Sequence, residues 1–190
     1  MKTIKIREKE INVKTTWNEL TIKEYLDIIN LQNNDDMIDE EFAVELIYIL
    51  SGLEKSFLYS LYTSEMNNLS EIVNDFNISD TLKSNPFNKL EIDGIVYTPV
   101  NVNELTTGET ISLKIMRKDN KSELDNILNM LSILIRPGKE VVDEFGETKL
   151  VPVEFDGDID VLKKRKEIFK NINAENAIWI LENFTGGKAS

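Results

Sequence analysis

The carboxylates Asp156, Asp158, Asp160 and Glu167 have the spacing that a hard cation would use. They stand at the first, third, fifth and twelfth positions of a calcium-loop pattern, in which oxygen ligands wrap a divalent ion. Val161 occupies the place where that loop needs glycine, and Lys164 stands at the ninth position. The segment before them reads as strand rather than helix. Acidic residues gathered at the start of a helix from about Ile159, complementing its dipole, are the favoured reading. A weak calcium site stays as the alternative.

Asp35, Asp36, Asp39, Glu40 and Glu41 form the densest acidic cluster. Paired carboxylates can move protons or hold Mg²⁺. Here they run from an Asn-rich loop into a helix start, which solvation and capping explain. Lys163-Lys164-Arg165-Lys166 is the one dense basic run. It falls at helical spacing inside an amphipathic segment and reads as a solvated helix face, with a phosphate-binding patch as the alternative. Gly186-Gly187 follows the last apolar helix, whereas a phosphate loop needs its glycines before one. Trp17 and Trp179 read as core aromatics; a partner site would concentrate on exposed aromatics and hairpin edges.

Composition narrows the chemistry further. The 190 residues include neither cysteine nor histidine, which removes disulfides, thiolate catalysis, Ser-His-Asp triads and His or Cys metal ligands. The net charge of −12 opposes nucleic-acid binding, which draws on Lys and Arg. Hydrophobic residues at 41% and charged residues at 29% describe a folded chain. No apolar run approaches the roughly 18 residues of a membrane span. The start, Met1 to Arg7, alternates like a strand rather than a signal peptide. No catalytic, cofactor-binding or metal residue is assigned, and no cofactor is expected.

The elements that would position these residues are an α+β set, predominantly helical. Residues 2–14 predict a β-hairpin turning at Arg7-Glu8-Lys9-Glu10. Thr21 with Glu24 is a capping box, whose side chains each satisfy a free backbone N–H at a helix start. The helix after it places Tyr25, Ile28, Ile29 and Gln32 on one side. A second helix, about Glu40–Ser51, carries Phe42, Leu46, Ile49 and Leu50, with Gly52 as C-terminal cap. Short helices near Ser56–Tyr62 and Glu65–Phe76 follow, the latter with Met66, Leu69, Ile72, Val73 and Phe76 on a stripe.

After Asn85-Pro86 the order begins again. Asp93-Gly94 is the strongest hairpin signal, and Thr106 with Glu109 forms a second capping box. A polar break at 117–121 precedes a helix from about Ser122 to Ile135, ended by Pro137-Gly138. Asn18-Glu19-Leu20-Thr21 is echoed by Asn103-Glu104-Leu105-Thr106, Ile49-Leu50-Ser51 by Met130-Leu131-Ser132, and Ile72-Val73 with Phe76 by Ile180-Leu181 with Phe184. The expectation is two tandem pseudo-repeats of hairpin followed by helices, 1–84 and 85–190. The second carries an extra hairpin inserted at about 138–157, around Phe145-Gly146-Glu147. Whether the halves pack as one body stays open.

The order of segments resembles a family of small acidic morphogenesis proteins of tailed bacteriophages, particularly those infecting Bacteroidetes. The resemblance rests on Trp17 to Leu26, Leu50-Ser51-Gly52-Leu53, Ile92-Asp93-Gly94-Ile95-Val96-Tyr97, Leu105-Thr106-Thr107-Gly108-Glu109 and Ile133-Leu134-Ile135-Arg136-Pro137. Thr110 and Ile135 depart from it, each standing where an aromatic is expected. The resemblance implies a non-enzymatic protein of tail or virion assembly that resembles a tail assembly chaperone and acts by binding other phage structural proteins. A structural component of the virion (neck, tail ring or packaged protein) is the alternative; apart from the resemblance, the residues leave a carboxylate- or metal-dependent enzyme as a second class, and the −12 charge an acidic inhibitor of a basic host protein as a third. The resemblance supplies no functional residues and implies a place in the host cytoplasm or the virion, while the charge and the lack of a long apolar run leave no nucleic-acid or membrane partner expected. The oligomeric state is not legible.

Overall fold

The computed structural model describes residues 1–34, 36–78, 82, 84, 86–118 and 122–185. Asp35, Asn85, residues 119–121 of the polar break and Gly186 to Ser190 lie outside the described residues, as does the side chain of Phe184. The chain divides into two units, Met1–Lys83 and Ser84–Ser190, where the sequence suggests 84/85.

Unit 1 starts with strands β1 (Lys2–Ile6) and β2 (Lys9–Val13), paired antiparallel with Ile4 opposite Ile11. Their turn is Arg7-Glu8 alone, both at positive φ (47° and 68°), the conformation a two-residue hairpin turn requires. A non-glycine pair is strained there, and Arg7 is tied down. Its Nε and Nη2 donate to both oxygens of Glu65 at 2.8 and 2.7 Å, and Nη2 also donates to the Ser60 carbonyl. A 3-10 turn at Trp17–Glu19 leads to helices α1 (Ile22–Gln32), α2 (Asp39–Ser51), α3 (Lys55–Tyr59) and α4 (Thr63–Val73).

Helix α2 is the hub of this unit, packing against α1, α3, α4 and β2. Its Ile47 and Leu50 join Val13, Leu20, Ile22, Ile28 and Leu69 in a core nearly closed to water, the main source of stability. Gly52 ends α2 at φ 67°, its N–H donating to the Tyr48 carbonyl. The buried side of α1 is Ile22, Leu26, Ile28 and Leu31, rotated from the expected Tyr25–Gln32 side. Two overlapping 3-4 stripes run along this helix, and packing on α2 selects the one without Gln32.

Unit 2 opens with β3 (Leu90–Ile92) and β4 (Ile95–Pro99) joined by Asp93-Gly94, both at positive φ. A 3-10 turn at Val102–Glu104, α5 (Thr107–Lys118) and α6 (Glu123–Leu134) follow. Strands β5 (Ile135–Val142) and β6 (Thr148–Pro152) come next, then α7 (Ile159–Phe169) and α8 (Ala174–Thr185). Helix α6 packs against α5, α7, α8 and β5, as α2 does against its neighbours.

The hairpin expected at about 138–157 is present in a different form. Its first strand begins at Ile135, directly out of α6, so Pro137-Gly138 lies inside a strand and does not stop a helix. It also pairs with β4, Thr98 opposite Arg136, giving a four-stranded sheet in the order β3-β4-β5-β6. Residues 153–157 belong to no strand. Proline is tolerated at 137 because a strand residue needs its N–H only when it donates to a neighbour, and there the Pro137 carbonyl accepts from Val153 at 2.9 Å.

Candidate functional site

The hairpin β5–β6 projects from a buried polar root to an apolar tip. Its strands pair from Gly138 opposite Pro152 out to Val142 opposite Thr148. Asp143 builds the turn: its Oδ1 accepts the N–H groups of Phe145 (2.9 Å) and Glu147 (3.0 Å), and its own N–H donates to the Glu147 carbonyl. Gly146 sits at φ 80° and Lys149 Nζ lies 2.5 Å from Asp143 Oδ2. The Lys149 ammonium, and after it the backbone N–H groups, hold the Asp143 carboxyl below its usual range.

Beyond that turn the side chains turn apolar without burial. Phe145 is 82% exposed and Val142 66%, with Val141 and Leu150 also open to water. A large aromatic left in water at the end of a hairpin loses nothing by docking and gains on it, which is how binding energy concentrates at interfaces. Strand β6 is an edge of the sheet, so one row of its backbone groups has no strand beside it. Glu140, Glu144 and Glu147 are exposed around this tip.

The root is where charge is buried. Thr98 on β4, Glu109 on α5, Ser132 on α6, Arg136 on β5 and Arg165 on α7 are all buried. Glu109 begins α5 as the capping box requires: Oε2 accepts the Thr106 N–H at 2.6 Å, and its own N–H donates to Thr106 Oγ1 at 3.2 Å. Oε1 of the same carboxylate lies 2.7 Å from Arg136 Nη2. That contact is an ion pair; Glu109 Oε1, Arg136 Nε and Thr98 Oγ1 are each buried with no hydrogen-bond partner among the described residues.

Arg165 Nη1 reaches the Ser132 carbonyl at 3.4 Å. Burial lowers both guanidinium pKa values, opposed by Glu109 and Asp156 at Arg136 and by Asp156 at Arg165. Arginine stays charged regardless. The arrangement therefore binds five elements around two cations and their carboxylates, and fixes the direction in which β5 leaves the body.

The predicted site residues scatter. Asp156 is exposed, and its charge acts on the buried guanidiniums of Arg136 and Arg165, whose positive charge disfavours a calcium ion there. Its Oδ1 accepts the Asp158 N–H; Asp158 in turn caps α7 by accepting the Asp160 N–H at 2.8 Å. Asp160 pairs with Lys163 and Glu167 with Lys170. Among the described residues no group of three or more carboxylates converges as metal ligands would.

The basic run is not one solvated face: Arg165 turns inward while Lys166 pairs with Asp125. Asp39, Glu40 and Glu41 form the first turn of α2, as capping predicts, and Asp36 lies in the loop before it. Trp17 is buried between Tyr25 and Phe76, its Nε1 donating to the Asn77 carbonyl. Trp179 is half-buried against Phe87.

Sequence reasoning missed the Glu109–Arg136–Arg165 cluster. One signal was present: Arg165 stands at 3-4 spacing between Leu162 and Phe169, on the stripe that α7 buries. A charge on an apolar stripe needs a partner inside. No protein-family model, curated protein or solved structure matches the chain.

Proposed function

We propose that this protein is a non-enzymatic assembly factor of a tailed bacteriophage, resembling a tail assembly chaperone, that binds other phage structural proteins in the host cytoplasm through the tip of β5–β6. The observation that carries the reading is the apolar tip, Phe145 with Val141, Val142 and Leu150, left in water on a strongly acidic chain. The resemblance in segment order supports the phage setting.

The two units are, in this reading, copies of one plan. Each runs hairpin, 3-10 turn, box-capped helix, hub helix and two closing helices. In each, the first residue after the second strand donates its N–H to the last turn of the hub helix: Lys14 to Leu50 at 2.9 Å and Val100 to Leu134 at 2.8 Å. The hairpin β5–β6 is the part added to the second copy, and an addition to a duplicated scaffold is a natural place for a specific contact.

The test is capture of phage structural proteins from infected cells by the tagged chain and by its Phe145→Asp and Val142→Asp variants. The wild type is expected to retain a partner that both variants lose, with surface substitutions of this kind changing stability by less than about 0.5 kcal/mol. Equal capture by the variants would remove the tip from the mechanism, and capture of nothing by any of them would remove the assembly role.

A further inference from the structure

Unit 1 carries a second surface, unlike the hairpin in shape. A groove of about 430 Å³ runs between α2, α3 and α4, a size within the range of ligand clefts. Ala43, Val44, Leu58 and Met66 line it, and Glu40 and Glu41 stand at its rim. Helix α3 has 5 residues, too few turns to cover the first half of α2. No Lys or Arg is among the lining residues, and neither rim glutamate joins an ion pair among the described residues.

We propose that this groove receives a cationic amphipathic helix of a partner protein. The apolar face of that helix would lie on Ala43, Met66 and the exposed Tyr59, over a buried floor of Val44 and Leu58, and its Lys or Arg residues on Glu40 and Glu41. Charge complementarity chooses the sign of the occupant. The walls choose its shape: all three are helices, whose backbone bonds are internal, so no strand can add to them, whereas helix-in-groove docking needs side chains alone.

A second copy is a poor occupant. Two chains of −12 repel, and the chain's own basic helix, α7, has Arg165 buried and Lys166 paired.

The probe is a fluorescently labelled synthetic peptide of Leu and Lys, about 14 residues or four helical turns, with one apolar face. Its anisotropy is titrated with the full chain. Binding is expected, and a peptide with Glu in place of Lys should not bind. Asn67→Trp, which fills the groove from an exposed position on α4, should weaken binding about tenfold or more.

Glu40→Lys with Glu41→Lys should weaken it comparably. Glu91→Lys with Glu104→Lys makes the same change in net charge on unit 2, from −12 to −8, and should leave the affinity within about twofold. Equal losses from both pairs would overturn the proposal as non-specific attraction, and so would full affinity in Asn67→Trp. A self-associating chain blocked by Asn67→Trp would assign the groove to a second copy instead. Phe145→Asp should bind the peptide as the wild type does, so failure of the tip reading and failure of this one are separable.

Discussion

Glu24 and Glu109 do the same local work and sit in different surroundings. Each closes a capping box with a threonine three residues earlier: Glu24 accepts the Thr21 N–H at 2.8 Å, Glu109 the Thr106 N–H at 2.6 Å. Glu24 then meets Lys14 at 2.5 Å, with the side chains 24% and 19% open to water. Glu109 is 1% exposed and meets Arg136. What separates them is β5, which leaves α6 directly and lays Arg136 over the capped start of α5. A strand that unit 1 lacks among its described residues marks the difference between a partly exposed cap and a buried ion pair.

That difference sets the largest expected effect. Glu109→Ala removes the cap and takes from buried Arg136 the carboxylate in contact with it, and should destabilise unit 2 by about 3–5 kcal/mol. Glu24→Ala loses a cap and a partly buried pair, about 1–2 kcal/mol in unit 1. Urea unfolding separates the two, because Trp17 reports on unit 1 and Trp179 on unit 2. Equal losses would break the comparison. Combining Glu109→Gln with Arg136→Met should recover part of the loss, since removing both charges spares the orphaned one.

A smaller effect tests how β6 closes on β5. A Cβ at Gly138 would lie 2.8 Å from Leu150 Cγ, so Gly138→Ala should cost about 1–2 kcal/mol by overpacking. Leu150→Ala in the same chain should return most of it.

The smallest is a pH effect at the turn. Asp143 titrates below the ordinary aspartate value of about 3.9. Its contribution is therefore complete above that value and lost as pH falls through the depressed pKa. Amide resonances of Phe145 and Glu147 should shift on that acid side, and Asp143→Asn should abolish the titration. Unit 1 has its counterpart in Glu65, held low by the Arg7 guanidinium first and the Tyr62 N–H second. Arg7→Ala should return the Glu65 titration toward the ordinary range.

The sequence by itself determined what depends on residues close along the chain. Thr21 with Glu24, Thr106 with Glu109, Gly52 and Asp93-Gly94 read correctly because each works through backbone groups at most four residues away, where residue type and φ decide the geometry. Tertiary structure decided the rest. Pro137-Gly138 signals a stop when read locally, yet pairing with β4 carries the strand through it. Lys163 to Lys166 is uniform in sequence, but α6 draws Arg165 alone inward. Asp156 fits a metal loop by spacing, yet the fold brings its charge to bear on guanidiniums from one strand and one helix, Arg136 on β5 and Arg165 on α7. Burial depends on which surfaces meet across a fold, and no count of spacings along one segment contains that.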